Sequence, residues 1–154
     1  VEQNVSKKKS DRFKLLQHLA GKKEEQAAGV LGKSKNNLVS QQSRLDELHQ
    51  YRKDYQTQLQ KNGEHGMTGS AMQMYRRFLG QLDQAIVQQQ GTVGSAVDDC
   101  AQKKQQWQQT HTKTRIYDKT VERSIHQEQH AQQRKEQRAQ DELAPRNLPG
   151  KDND

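Results

Sequence analysis

Apolar residues recur along this chain at intervals of three, four and seven positions. One series runs Leu31, Leu38, Leu45, Leu48, Tyr55 and Leu59, and a second runs Tyr75, Leu79, Leu82, Ile86, Val93, Ala96, Cys100 and Trp107. That spacing sets each series on a single stripe of an α-helix, as in a coiled coil. Between them lies Lys61-Asn62-Gly63-Glu64-His65-Gly66-Met67-Thr68-Gly69-Ser70, whose three glycines and serine suit a chain reversal. The pattern predicts an all-α fold, an antiparallel two-helix coiled-coil hairpin with long, unequal helices. Ser10-Asp11 is placed to cap the first helix, and Thr68 or Ser70 the second. The expected organisation is a disordered basic segment over 1–10, a single helical hairpin over 11–143 and a flexible tail over 144–154. Within the hairpin the helices cover about 11–60 and about 70–143, with the turn at 61–70.

In heptad terms the first helix has a positions at 31, 38, 45, 52 and 59 and d positions at 34, 41, 48 and 55. Ser34, Gln41 and Arg52 are the polar exceptions, and a polar seam residue lowers stability while fixing register. The second helix has a positions at 79, 86, 93, 100, 107, 114 and 121 and d positions at 75, 82, 89, 96, 103, 110 and 117. Phe13, Leu16, Leu19 and Ala20 open the apolar face of the first helix. Gly21, Gly29 and Gly32 then weaken it, each by about 1 kcal/mol relative to alanine. Gly91 and Gly94 are expected to allow close helix approach or local bending. A reversal about residue 65 brings Leu45 near Ile86, Leu38 near Val93 and Phe13 near Tyr117. Little of the first helix then remains to cover 122–143, an almost wholly polar stretch expected to fray when free and to order on a partner.

Composition agrees with a narrow seam. Of 154 residues 29% are hydrophobic and 5% aromatic, with a mean hydropathy of -1.33, too little apolar surface for a broad core. Glutamine, a good helix former, occurs 26 times, and no proline precedes Pro145. No apolar run approaches the roughly 20 residues of a membrane span. Lys7-Lys8-Lys9 has no long apolar segment after it, which speaks against a secretory signal. Cys100 is the single cysteine and falls in the second seam, where a buried, unreactive thiol is expected.

Charge is distributed unevenly. Residues 1–23 and 103–146 are net basic, whereas 24–102 are nearly neutral. If the chain folds back at 61–70, the two basic stretches share one end of the hairpin.

Little in the sequence points to catalysis. His126 and His130 have the i, i+4 spacing of a zinc pair, but Gln127 replaces the glutamate of the zincin motif and no third ligand is apparent, so no metal is expected. No phosphate-cradling loop or dinucleotide fingerprint occurs, and two helices build no cleft that excludes water. The expectation is a non-enzyme with no cofactor. The basic residues are interspersed with Asp and Glu and no recognised nucleic-acid module is present, so an acidic protein partner is more economical than nucleic acid.

The aromatics are more telling. Tyr51, Tyr55, Tyr75 and Phe78 cluster on either side of the turn. Arg44, Leu48, Tyr51 and Tyr55 alternate between g and d positions, as do Phe78, Leu82, Ala85 and Gln89. Tyr51 and Phe78 are g residues, at the flank of the seam where charge is usual. Either the core widens near the turn, or an apolar groove runs across both helices as a docking site.

The runs Leu48-His49-Gln50-Tyr51-Arg52-Lys53-Asp54-Tyr55 and Tyr75-Arg76-Arg77-Phe78-Leu79-Gly80-Gln81-Leu82-Asp83-Gln84-Ala85-Ile86, flanking a glycine-bearing turn, resemble the flagellar FliJ family. The resemblance covers roughly 12–140. It implies a hairpin similar to the rotary ATP synthase gamma stalk, acting as a coupling rod and chaperone-like component of flagellar type III protein export. The implied partners are the hexameric flagellar export ATPase, the cytoplasmic domain of the export gate and the export escort chaperones. The family's gate-contacting surface maps onto Leu48, Tyr51, Tyr55, Phe78, Leu82 and Ala85. Arg44 and Gln89 take the two outer positions, where the residue types depart from the family pattern. The ATPase-facing part would be the paired termini. Membership also implies a cytoplasmic protein held peripherally at the inner membrane beneath the flagellum, serving motility and chemotaxis. Because the two seams can satisfy each other within one chain, a monomer is expected in isolation. The equivalent stalk of a virulence type III secretion system and a basic nucleic-acid-binding coiled coil are the alternatives.

Overall fold

A computed structural model of the chain describes residues 8–144. The expectations for 1–7 and 145–154 lie outside the described residues. Among the described residues the fold consists of two helices: α1, Lys9–Glu64, of 56 residues, and α2, Gly69–Leu143, of 75 residues. They form an all-α helical hairpin with unequal arms. The chain divides into two compact units, one joining the part up to Glu24 with the part from Thr110 onward, the other comprising Glu25–Gln109.

In the Glu25–Gln109 unit the helices run antiparallel along the two seams. Leu31, Leu45, Leu82, Ile86 and Ala96 are buried, and the remaining a and d residues are half-buried, with Ser34 also buried. The core is one residue wide on each helix, as the composition requires. Burying a leucine or isoleucine contributes roughly 1.5–3 kcal/mol, so these few side chains supply most of the unit's cohesion.

Each polar exception in the first seam has a partner on the opposite helix. The Ser34 hydroxyl donates to Asp99 Oδ2 at 2.7 Å. Gln89 Nε2 donates both to the carbonyl of Gln41 at 3.0 Å and to Gln41 Oε1 at 2.9 Å. Arg52 Nε bonds to Asp83 Oδ1 at 2.5 Å. Ser34 is buried and Gln41 and Gln89 are half-buried, where an unpaired polar group is costly, so these pairs favour the register that satisfies them, whereas the exposed Arg52–Asp83 pair adds little.

The reversal is tighter than the 61–70 span expected from sequence. α1 continues through Asn62 and Gly63 to Glu64, and α2 begins at Gly69. Asn62 stays in the helix and donates to the Tyr75 hydroxyl at 3.0 Å, which ties the last turn of α1 to α2. Gly66 has φ +85°, a left-handed conformation that glycine adopts without a Cβ clash. The Thr68 hydroxyl accepts the Ala71 N–H at 3.3 Å and so caps α2, as one of the two expected residues.

The other unit is also antiparallel but mostly polar. Val121 is its one buried hydrophobic residue among those described, accompanied by buried Ser10 and Ser124. Gln17 donates to Asp118 at 2.6 Å, and Glu24 meets His111 Nδ1 at 2.6 Å. Ser10 donates its N–H to Glu128 Oε1 at 3.0 Å and its hydroxyl to Glu128 Oε2 at 2.7 Å.

That last pair corrects two expectations. Ser10 does not cap α1 with its own side chain. It lies inside the first turn, and its otherwise unsatisfied N–H is met by a carboxylate from α2, which also suits the positive end of the helix dipole. The pairing also reaches farther along α2 than a reversal about residue 65 allows. The fully exposed helical stretch is therefore 129–143, not 122–143.

Of the two roles expected for Gly91 and Gly94, close helix approach is corrected as well. A Cβ built at Gly91 or Gly94 meets nothing within 4 Å, so neither serves close approach between helices. Among the described residues no helix is long and apolar enough to cross a membrane.

Candidate docking surface

The heptad positions g and d converge on one flank of the Glu25–Gln109 unit near the turn. Tyr55, a d residue, is half-buried and forms the hub. Its ring centroid lies 4.5 Å from Phe78, 5.0 Å from Tyr75 and 6.4 Å from Tyr51. Tyr51 meets Phe78 edge-on at 6.0 Å and 82°. Pairs of this kind contribute about 0.5–1.5 kcal/mol each beyond the area they bury. Desolvation, reinforced by the neighbouring Tyr75 and Tyr51, raises the Tyr55 hydroxyl above its ordinary value, so Tyr55 stays neutral at any physiological pH.

The predicted surface residues separate into layers. Tyr51 is 52% exposed although its ring is propped by Tyr55 and Phe78. Leu48, Phe78 and Ala85 are half-buried beside it. Leu82 is buried, only 6% exposed, and belongs to the seam. Arg44 is exposed. Gln89 is turned back to Gln41 by its two hydrogen bonds and so pins the register. The structure thus brings Tyr51, Tyr55 and Phe78 together, with Leu82 as support beneath them.

Tyr75 and Asn62 were missed as members of this surface. Tyr75 was grouped with the aromatics near the turn but left out of the gate-contacting residues, and here it completes the cluster and receives Asn62. Its spacing of three residues from Phe78 was the available signal, because i and i+3 share a helix face.

A prefixed aromatic ring with one open face is the physical form of an interface anchor. Tyrosine offers a large amphipathic area, and here its rotamer is already restricted by Phe78 and Tyr55, so little side-chain freedom remains to be lost on binding. The Arg52–Asp83 pair borders the cluster; its arginine is held above its ordinary pKa and its aspartate below, each mainly through their mutual hydrogen bond. His126 and His130 sit with ring centroids 6.4 Å apart on exposed helix, and among the described residues no group of three metal-ligating side chains forms.

The fold and this flank define a two-helix coiled-coil protein whose seam carries an aromatic shoulder. The family model described as Flagellar FliJ protein matches residues 8–151, nearly the whole chain. The chain belongs to the FliJ family, and with it to the components of flagellar type III export. No curated protein and no solved structure matches the chain.

Proposed function

We propose that the chain is a non-enzymatic coupling element of flagellar protein export, joining the hexameric export ATPase to the cytoplasmic domain of the export gate. In this reading it acts in the cytoplasm, held peripherally at the inner membrane beneath the flagellum, and is chaperone-like in receiving export escort chaperones. The aromatic shoulder engages the gate. The single observation that carries the reading is Tyr51, half exposed yet braced by Phe78 and Tyr55 at a heptad position where charge is usual. Differential contact of this shoulder with two gate states is what lets a bridge transmit ATP hydrolysis or proton flow, since a ligand shifts an equilibrium only by its differential affinity.

The unit containing both chain ends faces the ATPase. Its described residues carry thirteen Lys and Arg against eight Asp and Glu, which favours an acidic partner. Binding to the purified ATPase is therefore expected to weaken as salt rises; equal affinity at low and high salt contradicts this assignment. The gate assignment is tested by pull-down of the gate's cytoplasmic domain with a Tyr51→Ala/Phe78→Ala variant. Loss of capture with helix content retained is expected, and full capture contradicts it.

A further inference from the structure

The unit joining the two ends has an apolar surface that its own fold leaves open. Leu15, Leu16 and Leu19 fall within five residues of α1 and remain 61%, 41% and 48% exposed. Leu16 and Leu19, with Ala20, line one wall of a groove of about 180 Å³, and Tyr117 of α2 lines the other. Lys23 and Lys113 stand at its rim, one from each helix. Both are exposed, and among the described residues neither is in an ion pair.

In heptad terms Leu16, Lys23 and Lys113 are g residues and Tyr117 is a d residue. This is the combination of positions that builds the aromatic shoulder in the other unit. Here the anchor is aliphatic and the border is cationic. Exposed leucines next to one another on a helix are costly to keep in water, whereas the same face closes readily over another helix.

We propose that this groove docks an amphipathic helix of a partner protein, which sets two or three apolar side chains on Leu16, Leu19 and Tyr117 and flanks them with Asp or Glu opposite Lys23 and Lys113. Charge complementarity selects the occupant. Two unpaired lysines repel a basic helix and disfavour a second copy of this basic unit, while carboxylates at the edges satisfy them. The leucine wall distinguishes such a helix from nucleic acid, which has no apolar side chains to place there. The inference rests on the reading of this unit as a docking end, and adds the surface and the chemistry of its ligand.

The test uses the full chain and a fluorescent synthetic helix of about 21 residues, with leucines at heptad spacing and glutamates flanking them, next to a version with lysines in place of the glutamates. The glutamate helix is expected to bind and the lysine helix to bind at least about tenfold more weakly. Lys23→Glu/Lys113→Glu is expected to reverse that preference. Leu16→Ser/Leu19→Ser, at sites already exposed, abolishes binding without loss of helix content, and Tyr51→Ala/Phe78→Ala changes nothing. Equal binding of the two helices, no binding of the glutamate helix, or binding that survives both groove variants overturns the proposal. Capture of a short DNA duplex instead, or dimerisation abolished by Leu16→Ser/Leu19→Ser, assigns the groove to another occupant and overturns it too. The same variants are assayed against the export ATPase. Intact ATPase binding by the groove variants together with failure of the peptide arm removes the groove and leaves the docking end standing. Absence of ATPase binding by the wild-type chain removes the docking end, while the peptide arm still decides the groove.

Discussion

Ser10 and Glu128, from opposite ends of the sequence, are joined by two hydrogen bonds, one from the Ser10 N–H and one from its hydroxyl, to the two oxygens of a single carboxylate. The start of α1 is therefore completed by α2 and not by a local cap. Glu128→Ala removes both acceptors at once. The Ser10 amide is expected to lose its protection from hydrogen exchange, and the first turns of α1 are expected to melt before the Glu25–Gln109 unit. Unchanged exchange at Ser10 would show that the tie contributes nothing in solution.

Three carboxylates in cross-helix ties sit below their ordinary pKa values. The Ser10 N–H, and then its hydroxyl, lowers Glu128; hydrogen bonds from His111 and Thr114 lower Glu24; the hydrogen bond from Arg52 lowers Asp83. A group whose folded pKa is depressed contributes stability that is present above its unfolded value and is lost as pH falls through the folded value. The ordinary values are 4.5 for the glutamates and 3.8 for the aspartate, so the loss begins below about pH 4.5. The thermal midpoint, followed by circular dichroism, is expected to decline from about pH 4.5 downward. All three groups are solvent-accessible, so the decline is modest and shrinks in salt. A midpoint that holds level down to pH 2 contradicts these ties.

The helix glycines and the turn glycine should respond in opposite directions. Gly91→Ala and Gly94→Ala place a methyl in open space within α2. Each is expected to stabilise the chain by about 0.5–1 kcal/mol through helix propensity and a less flexible unfolded state. Gly66→Ala meets no neighbour either, but it must adopt φ +85° and is expected to cost about 1–2 kcal/mol. Denaturant midpoints of the three variants check this, and a loss of stability at Gly91 or Gly94 would contradict the open space around them.

The polar seam pairs trade stability for register. A Gln41→Leu/Gln89→Leu variant removes the two hydrogen bonds that Gln89 Nε2 makes and replaces them with apolar contact. It is expected to melt at a higher temperature while losing a single helix alignment. Spin labels at Gln56 and Gln81, both exposed, should then give a broader distance distribution than in the wild type. A distribution as narrow as the wild type's would show that Ser34–Asp99 and Arg52–Asp83 suffice.

Much of this architecture is legible in the heptads. The a and d positions read from 31 to 59 and from 75 to 121 are all buried or half-buried, because a 3–4 spacing of apolar residues leaves one face able to leave water. The pairing of Ser10 with Glu128 was not legible, since polar partners carry no periodic signal. The extent of the turn was misjudged because glycine at 63 reads as a break, whereas Asn62 held by Tyr75 keeps the helix running. At the shoulder, Tyr51 and Phe78 stood out as apolar g residues. The heptad letters put Leu82 and Gln89 at d, in the seam, whereas the family resemblance maps them onto the docking surface; one is buried in the seam and the other is bonded to Gln41, as the letters say.

The proposed function stands or falls on Tyr51 meeting the export gate. The most direct measurement places a photo-activated cross-linking residue at position 51 and irradiates the full chain with the purified cytoplasmic domain of the gate, with the same residue at Gln58 and Gln105, both exposed, as controls. An adduct from position 51 that Phe78→Ala weakens is expected, with little from the controls. Equal adducts from all three positions, or none from position 51 while the gate domain is bound, would contradict it.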